Sequence, residues 1–257
     1  MCRTGHAWII RTMKTNFIFD LYGTLVDIHT DEEKPKAWKA LARFYSYYGA
    51  GYTPAELKEE YRKLTGELTA GREGLRRDSH EAFPEIEIEE VFLELFRAKG
   101  GKVSPELAVY AGQFFRAMTT DWLRLYDGTR EMLENLRDRG GRLYLLSNAQ
   151  QIFTEYEMKA LGIYGFFDAV YLSSSCRCKK PDLRFFRMIL EEQKLNPKDC
   201  IMTGNDGACD IEGAKRAGMS TLYVHSGLSP EEDFPDADFI LEEMDMKKIQ
   251  KILLSEL

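Results

Sequence analysis

What the chain lacks narrows the field first. No apolar run approaches the roughly 20 residues that span a bilayer. Ala7-Trp8-Ile9-Ile10 is too short for a signal-peptide core and has no small-residue cleavage site beside it. Basic residues are not in excess: the 257 residues carry a formal net charge of -7, which argues against nucleic-acid backbone as the main partner. Cysteines number five, an odd count that fits reduced thiols better than a disulfide framework. Cys176 and Cys178 form the one close pair. No second Cys or His pair stands at zinc-ligand spacing, so the two read as thiols on a loop. Internal repeats and low-complexity tracts are missing as well. These absences point to a cytoplasmic globular protein without membrane or nucleic-acid partners. A composition of 44% hydrophobic and 30% charged residues agrees, and the length suffices for a large core. The residues before Phe17 show no periodicity, and either Met1 or Met13 serves as the start. Nothing in the sequence signals an oligomeric state.

The stretch Phe17-Ile18-Phe19-Asp20-Leu21-Tyr22-Gly23-Thr24-Leu25-Val26-Asp27 organises the rest. A short apolar run bounded by turn residues reads as a buried parallel strand. An acid at the carboxyl end of such a strand stands where open α/β sheets bind ligands. Strands ending in a capping Asp are also common, so this stretch alone does not decide between structure and chemistry.

Beyond Asp27 the text turns helical. Trp38, Leu41, Ala42, Tyr45 and Tyr48 recur at helix spacing until Gly49 to Gly51 break it. Thr53-Pro54-Ala55-Glu56 is an N-cap, a first-turn proline and a first-turn acid, opening a helix through Leu57, Tyr61, Leu64 and Leu68. A polar loop from Gly71 to His80 carries Arg72, Arg76 and Arg77. Helices from Glu87 to about Lys99 and from Ser104 to about Thr119 follow. Nothing between Lys34 and Thr120 reads as a strand. The expected division is a core of residues 1–30 and 121–257 with a helical insert over 31–120. Its aromatic stripes read as packing surface.

From about Trp122 strands and helices alternate, which implies a parallel sheet with right-handed crossovers. Strands are expected at Leu143–Leu146, Ala169–Leu172, Cys200–Thr203, Thr221–Val224 and, at an edge, Asp238–Leu241. Three polar clusters end strands or open helices where they can converge on Asp20: Ser147-Asn148, Lys179-Lys180-Pro181-Asp182, and the run from Thr203 to Asp210. Acids brought together in a buried site need a compensating cation or proton. Asp20, Asp206 and Asp210 are hard oxygen donors of the kind Mg²⁺ takes.

Asp20 through Asp27, Ser147, Lys180-Pro181-Asp182 and Gly204 through Gly218 together resemble the four ordered motifs of the haloacid dehalogenase superfamily. The helical insert resembles that family's helical cap, and the likeness runs from Phe17 to about Val224. It implies a Rossmann-like three-layer α/β core with strand order 3-2-1-4-5 and a four-helix cap. It also implies a covalent mechanism with Asp20 as nucleophile. In the phosphatase members Mg²⁺ is the cofactor, bound by the nucleophile, by the main-chain carbonyl at position 22, and by acids at the positions of Asp206 and Asp210. Thr24, Ser147 and Lys180 bind the transferring group there; Lys180 is preferred to Lys179 because it directly precedes the proline.

Two departures pull apart. Tyr22 stands where phosphatases usually carry an acid–base aspartate, and Tyr22-Gly23-Thr24 looks like the metal-free dehalogenase branch. The acids Asp206 and Asp210 point back to a metal site, although Asn205 occupies the position of the usual first acid and either it or Asp206 serves the metal. The resemblance thus implies a Mg²⁺-dependent phosphatase on a small phosphorylated metabolite. Its alternatives are a 2-haloacid dehalogenase and a catalytically weak protein that binds a phosphometabolite. Arg72, Arg76, Arg77 and His80 form a candidate anion clamp against the plainer reading of a solvated basic loop, and Arg76 is taken as substrate-binding. Asn148 is expected to line the pocket. His29 is a substitute acid–base group or a loop histidine, and Asp27 is expected to hold the turn through local bonds to backbone.

Overall fold

The computed structural model describes residues 13–73, 85–231, 233 and 235–257. Strand β1 (Asn16–Phe19) is fully apolar after its first residue and buried throughout. The chain then turns through Gly23 into β2 (Val26–Thr30). Four helices follow: α1 (Pro35–Tyr47), α2 (Pro54–Glu73), α3 (Ile88–Arg97) and α4 (Pro105–Thr119). The N-terminus of α2 carries the expected cap in reciprocal form. The Glu56 carboxylate accepts from Thr53 N–H at 2.7 Å, and Thr53 Oγ1 accepts from Glu56 N–H at 3.2 Å.

The chain returns through β3 (Thr120–Leu125), α5 (Thr129–Asp138), β4 (Arg142–Ser147), α6 (Gln151–Ala160), β5 (Ala169–Leu172) and the one-turn α7 (Ser173–Cys176). Then come α8 (Leu183–Glu192), β6 (Cys200–Gly204), a π-helical turn over Gly207–Glu212, α9 (Gly213–Arg216), β7 (Ser220–Val224), β8 (Phe239–Leu241) and α10 (Met246–Glu256). Asp182 and Asp245 cap α8 and α10 through backbone N–H groups.

The main sheet runs β5-β4-β1-β6-β7-β8, all parallel. Counted along the core alone, this is the expected 3-2-1-4-5 order with β8 added at the edge. Alternation along each strand sorts its side chains to two faces. Phe17, Phe19, Leu143, Leu145 and Ile201 join the cluster that includes Met132 of α5 and Leu253 of α10. Ile18, Tyr144, Leu146 and Met202 join Phe185, Phe186 and Ile189 of α8 on the other. Helices α1 to α4 enclose a third cluster rich in aromatics, including Trp38, Tyr45, Phe92, Phe96 and Phe115. One residue of α6, Ile152, is buried in that third cluster.

Two expectations change here. Thr120–Leu125 is a strand, paired antiparallel with β2, where the sequence reads as the end of a helix and then a connection. Its signal is weak because no residue of β3 is fully buried, so neither face carries the clean apolar alternation of a half-buried strand. Asp27 does not hold a turn. Its carboxylate bridges this ribbon instead, accepting from Trp122 Nε1 at 3.0 Å and Arg124 Nε at 2.8 Å. Among the described residues no helix is long and apolar enough to cross a membrane.

Leu145 is fully buried at the centre of the sheet. Leu145→Ala is expected to lower unfolding free energy by about 2–5 kcal/mol, read as a lower urea midpoint at unchanged slope. A loss below about 1 kcal/mol would mean that β4 is not a core strand.

Candidate active site

Register decides what meets at the carboxyl edge of the sheet. Phe19 lies opposite Leu145 on one side and Thr203 on the other, so the ends of β1, β4 and β6 fall within two residues of one another. Asp20, Ser147 and the residues after Gly204 therefore emerge together, on both sides of the strand where the winding reverses. The backbone N–H of Asp20 still bonds to Thr203 O at 3.0 Å, which continues the sheet one residue past β1.

Lys180 Nζ lies 2.7 Å from Asp20 Oδ1 and 2.6 Å from Asp210 Oδ1. Ser147 Oγ donates to the same Asp20 oxygen at 3.0 Å. Asp210 Oδ2 accepts from the Asp206 N–H at 3.0 Å. Lys180, Asp210 and Ser147 are all 2% exposed or less, so two carboxylates share one ammonium away from water. Burial works against the charge on Lys180, yet the two carboxylates more than offset it and raise its pKa. Burial likewise raises the Asp210 carboxyl, with Lys180 pulling it back and Asp20 adding to the rise.

Backbone placement of these groups is local and specific. Asn148 holds Lys180 by both ends of its amide: Nδ2 donates to Lys180 O at 3.0 Å, and Oδ1 accepts from Lys180 N–H at 2.7 Å. The Lys180-Pro181 bond is cis. Gly204 has no side chain because a Cβ there would sit 2.2 Å from Asp210 Oδ2. Gly23, at φ +84°, has none because a Cβ would sit 2.4 Å from the Asn205 amide. Asn205 is itself buried and accepts from Thr24 Oγ1 at 3.1 Å.

Asp20, Tyr22, Ser147, Asn148, Lys180, Asn205, Asp206, Cys209, Asp210 and Leu228 line a cavity of about 160 Å³. Most of the expected site residues are thus brought together. Three are not used as expected. Thr24 is fully buried behind Asn205 and does not line the cavity. Tyr22 lines it, but its phenol turns to α6, contacting Thr154 Oγ1 at 3.0 Å and donating to Glu157 Oε2. Burial and the Glu157 carboxylate raise the phenol pKa further, so Tyr22 cannot substitute for an acid–base aspartate. Both oxygens of Asp210 are engaged by Lys180 and the Asp206 N–H, which makes Asp210 a counter-ion before it is a metal ligand. Arg76, with Arg77 and His80, lies outside the described residues. His29 pairs with Asp121 at 2.9 Å and stacks on Trp122, on the ribbon and away from Asp20's partners.

Among the described residues no three His, Cys, Asp or Glu side chains are grouped closely enough to hold a metal alone. Mg²⁺ asks for less, since it commonly takes one or two carboxylates and keeps several waters. Asp206 Oδ1 caps the following turn through Cys209 N–H at 2.7 Å. That leaves one oxygen each on Asp20 and Asp206 with no protein partner among the described residues, in one cavity. This pair fits the ion.

A family model described as a haloacid dehalogenase-like hydrolase matches residues 15–218. The chain belongs to that family. The match takes in β1 to β6, the Asp20, Lys180 and Asp210 cluster, and every cavity-lining residue except Leu228. Among relatives, a glyceraldehyde 3-phosphate phosphatase of Methanothermobacter thermautotrophicus is 36% identical over 43% of this chain and 49% of its own length. A phosphoserine phosphatase of Thermus thermophilus is 32% identical over 63% of each chain. The matches thus span about half to two thirds of these relatives. A 2-haloacid dehalogenase structure from Pseudomonas syringae superposes with a TM-score of 0.61 over 95% of this chain and all of its own, at 19% identity, which speaks for the fold alone.

Four residues of the site went unread in the sequence. Cys209 and Leu228 line the cavity, and Glu157 and Arg116 hold the Tyr22 side. Glu157 and Arg116 look like ordinary surface charges on helices, and only the packing of α4 on α6 brings them together. The Cys209 thiol is pushed up to about 12 by burial and by Asp206 and Asp210, so it is not a nucleophile.

Lys180→Met leaves two buried carboxylates unpaired and is expected to cost about 3–5 kcal/mol of stability near pH 8. In the variant the Asp210 carboxyl, raised by burial, loses the ammonium that pulls it back, so its folded pKa lies further above the unfolded one. The deficit is therefore full above that folded value and shrinks as pH falls toward 4. Urea unfolding at pH 8 and pH 5 tests this; a pH-independent deficit would contradict the shared-ammonium arrangement.

Proposed function

We propose that the chain is a cytoplasmic Mg²⁺-dependent phosphatase that hydrolyses a small phosphorylated metabolite through a phosphoryl-aspartate on Asp20. One observation carries this reading. The Asp20 carboxylate has one oxygen fixed by Ser147 and Lys180, and the other has no protein partner among the described residues, on the wall of the cavity. The phosphatase names of the two relatives support phosphoryl transfer over halide displacement. In this reading helices α1 to α4, within residues 31–120, act as a cap over a core of 1–30 and 121–257.

The chemistry follows from the charges. The Asp20 carboxylate attacks phosphorus as the bond to the leaving alcohol breaks; water then cleaves the acyl phosphate, returning the carboxylate and releasing phosphate. Lys180 and Ser147 steady the nucleophile and present an ammonium and a hydroxyl to the transferring group's oxygens. Asn148 fixes the Lys180 backbone and so positions the ammonium. Asp20, Asp206 and the Tyr22 main-chain carbonyl would hold Mg²⁺. When bound, the ion supplies charge neutralisation for the phosphoryl group. With the Tyr22 phenol engaged by Glu157, the leaving alcohol takes its proton from solvent. General acid–base help is worth about 10²–10⁴ in rate, so turnover is expected to be slow.

Asn205 and Tyr22, each in place of an acid, favour a second reading, metal-free hydrolysis of a 2-haloacid through an aspartyl ester. A panel of phosphate monoesters and L-2-haloacids separates the two. Phosphate release that stops with a chelator, returns with Mg²⁺ and is lost in Asp20→Asn is expected, as is a gain of about 10-fold or more in Tyr22→Asp. Halide release indifferent to chelator would establish the second reading instead.

A further inference from the structure

The catalytic cavity shares Tyr22, Asn148 and Leu228 with a larger one of about 580 Å³ beneath the helical bundle. Its walls include the apolar side chains of Ile28, Tyr61, Ile88 and Phe153. Its polar groups are largely engaged already. Both ends of the Gln150 amide bond to backbone, at Ile88 N–H and Ile86 O. Asn148 is taken by Lys180, Thr154 by Tyr22, and His29 by Asp121.

Arg116 of α4 also lines this chamber, and it is the cation there that would read an acidic substrate. It is not available. Glu157 of α6 holds it with two bonds, 2.6 Å from Arg116 Nε to Oε1 and 3.3 Å from an outer nitrogen to Oε2. The pair is only 20% and 11% exposed, and the guanidinium lies over the rings of Tyr22 and Phe153, 5.8 and 5.3 Å from their centroids. Glu32, whose carboxyl burial raises, adds a negative group to the same wall.

We propose that Glu157 is a specificity determinant: by neutralising Arg116 it makes the chamber accept phosphate esters of uncharged leaving groups with an apolar body and reject those bearing a carboxylate. This rests on the phosphatase reading. A carboxylate brought into the chamber meets a guanidinium already paired and an acid beside it, so it loses its hydration without gaining a partner. An uncharged ring or alkyl body meets Tyr61, Phe153 and Ile88.

Phenyl phosphate and 4-carboxyphenyl phosphate, alike apart from one carboxylate, are the test pair. Wild type is expected to favour the uncharged ester in kcat/KM by roughly tenfold or more. Glu157→Gln releases Arg116 and is expected to narrow that ratio at least several-fold. The paired replacement Arg116→Met with Glu157→Met removes both charges and is expected to keep it. Equal use of the two esters by wild type, or a ratio unmoved in Glu157→Gln, overturns the proposal. If neither ester is hydrolysed, the phosphatase reading fails. The shift in Tm that each ester gives wild type and Glu157→Gln then judges the chamber alone, with equal shifts overturning it.

Discussion

One ammonium shared by two buried carboxylates is the constraint on which this structure turns. Lys180 Nζ lies within 2.7 Å of both Asp20 and Asp210. Three charges in that space hold together only if backbone geometry places them closely, because any one left alone is strongly disfavoured. Much else in the core serves this demand. The neighbouring ends of β1, β4 and β6 bring the chain segments together. Gly204 leaves room for Asp210, and Asn148 clamps the lysine's own peptide. The net charge of the trio is one negative, carried toward a cavity where a phosphoryl group and its cation would be met.

The fold was largely legible because its strongest signals are local. Short apolar runs ending in polar residues mark β1, β4 and β6, and caps such as Thr53 and Asp182 mark helix starts. The β2–β3 ribbon was not legible: its residues are half exposed, and its stability comes from cross-strand partners such as Asp27 with Trp122 and Arg124. In the site, the likeness of four ordered motifs singled out Asp20, Ser147, Lys180 and Asp210, and the structure brings these four together. The likeness was not enough to say which acid pairs with lysine and which stays open, since that depends on hydrogen bonds made by neighbours, as when Asp206 caps its own helical turn. Thr24 looked like a substrate-binding hydroxyl and is a support for Asn205.

Tyr22 links the chemistry to the helical bundle. Standing two residues after Asp20, it reaches away from the Asp20 carboxylate to Glu157, which in turn holds Arg116 of α4. A single residue difference at this position therefore has two consequences. It turns a phenol out of the cavity toward α6, and it ties the wall of the adjoining chamber to the loop that follows Asp20. The contacts of Gln150 with Ile86 and Ile88 reinforce the same junction from the other side. Under the proposed function, reaction rate and leaving-group choice would share one hydrogen-bonded network, although they concern different parts of the substrate.

The most direct test of the central claim is to find where the phosphoryl group goes. The protein is mixed with Mg²⁺ and a phosphate monoester that it hydrolyses, quenched in acid within the first turnover, and its peptides are examined by mass spectrometry. A phosphoryl group on Asp20, absent from Asp20→Asn, is the expected result. Phosphate release with no modification of Asp20, or a phosphoryl group on another residue, would contradict the assignment of Asp20 as nucleophile.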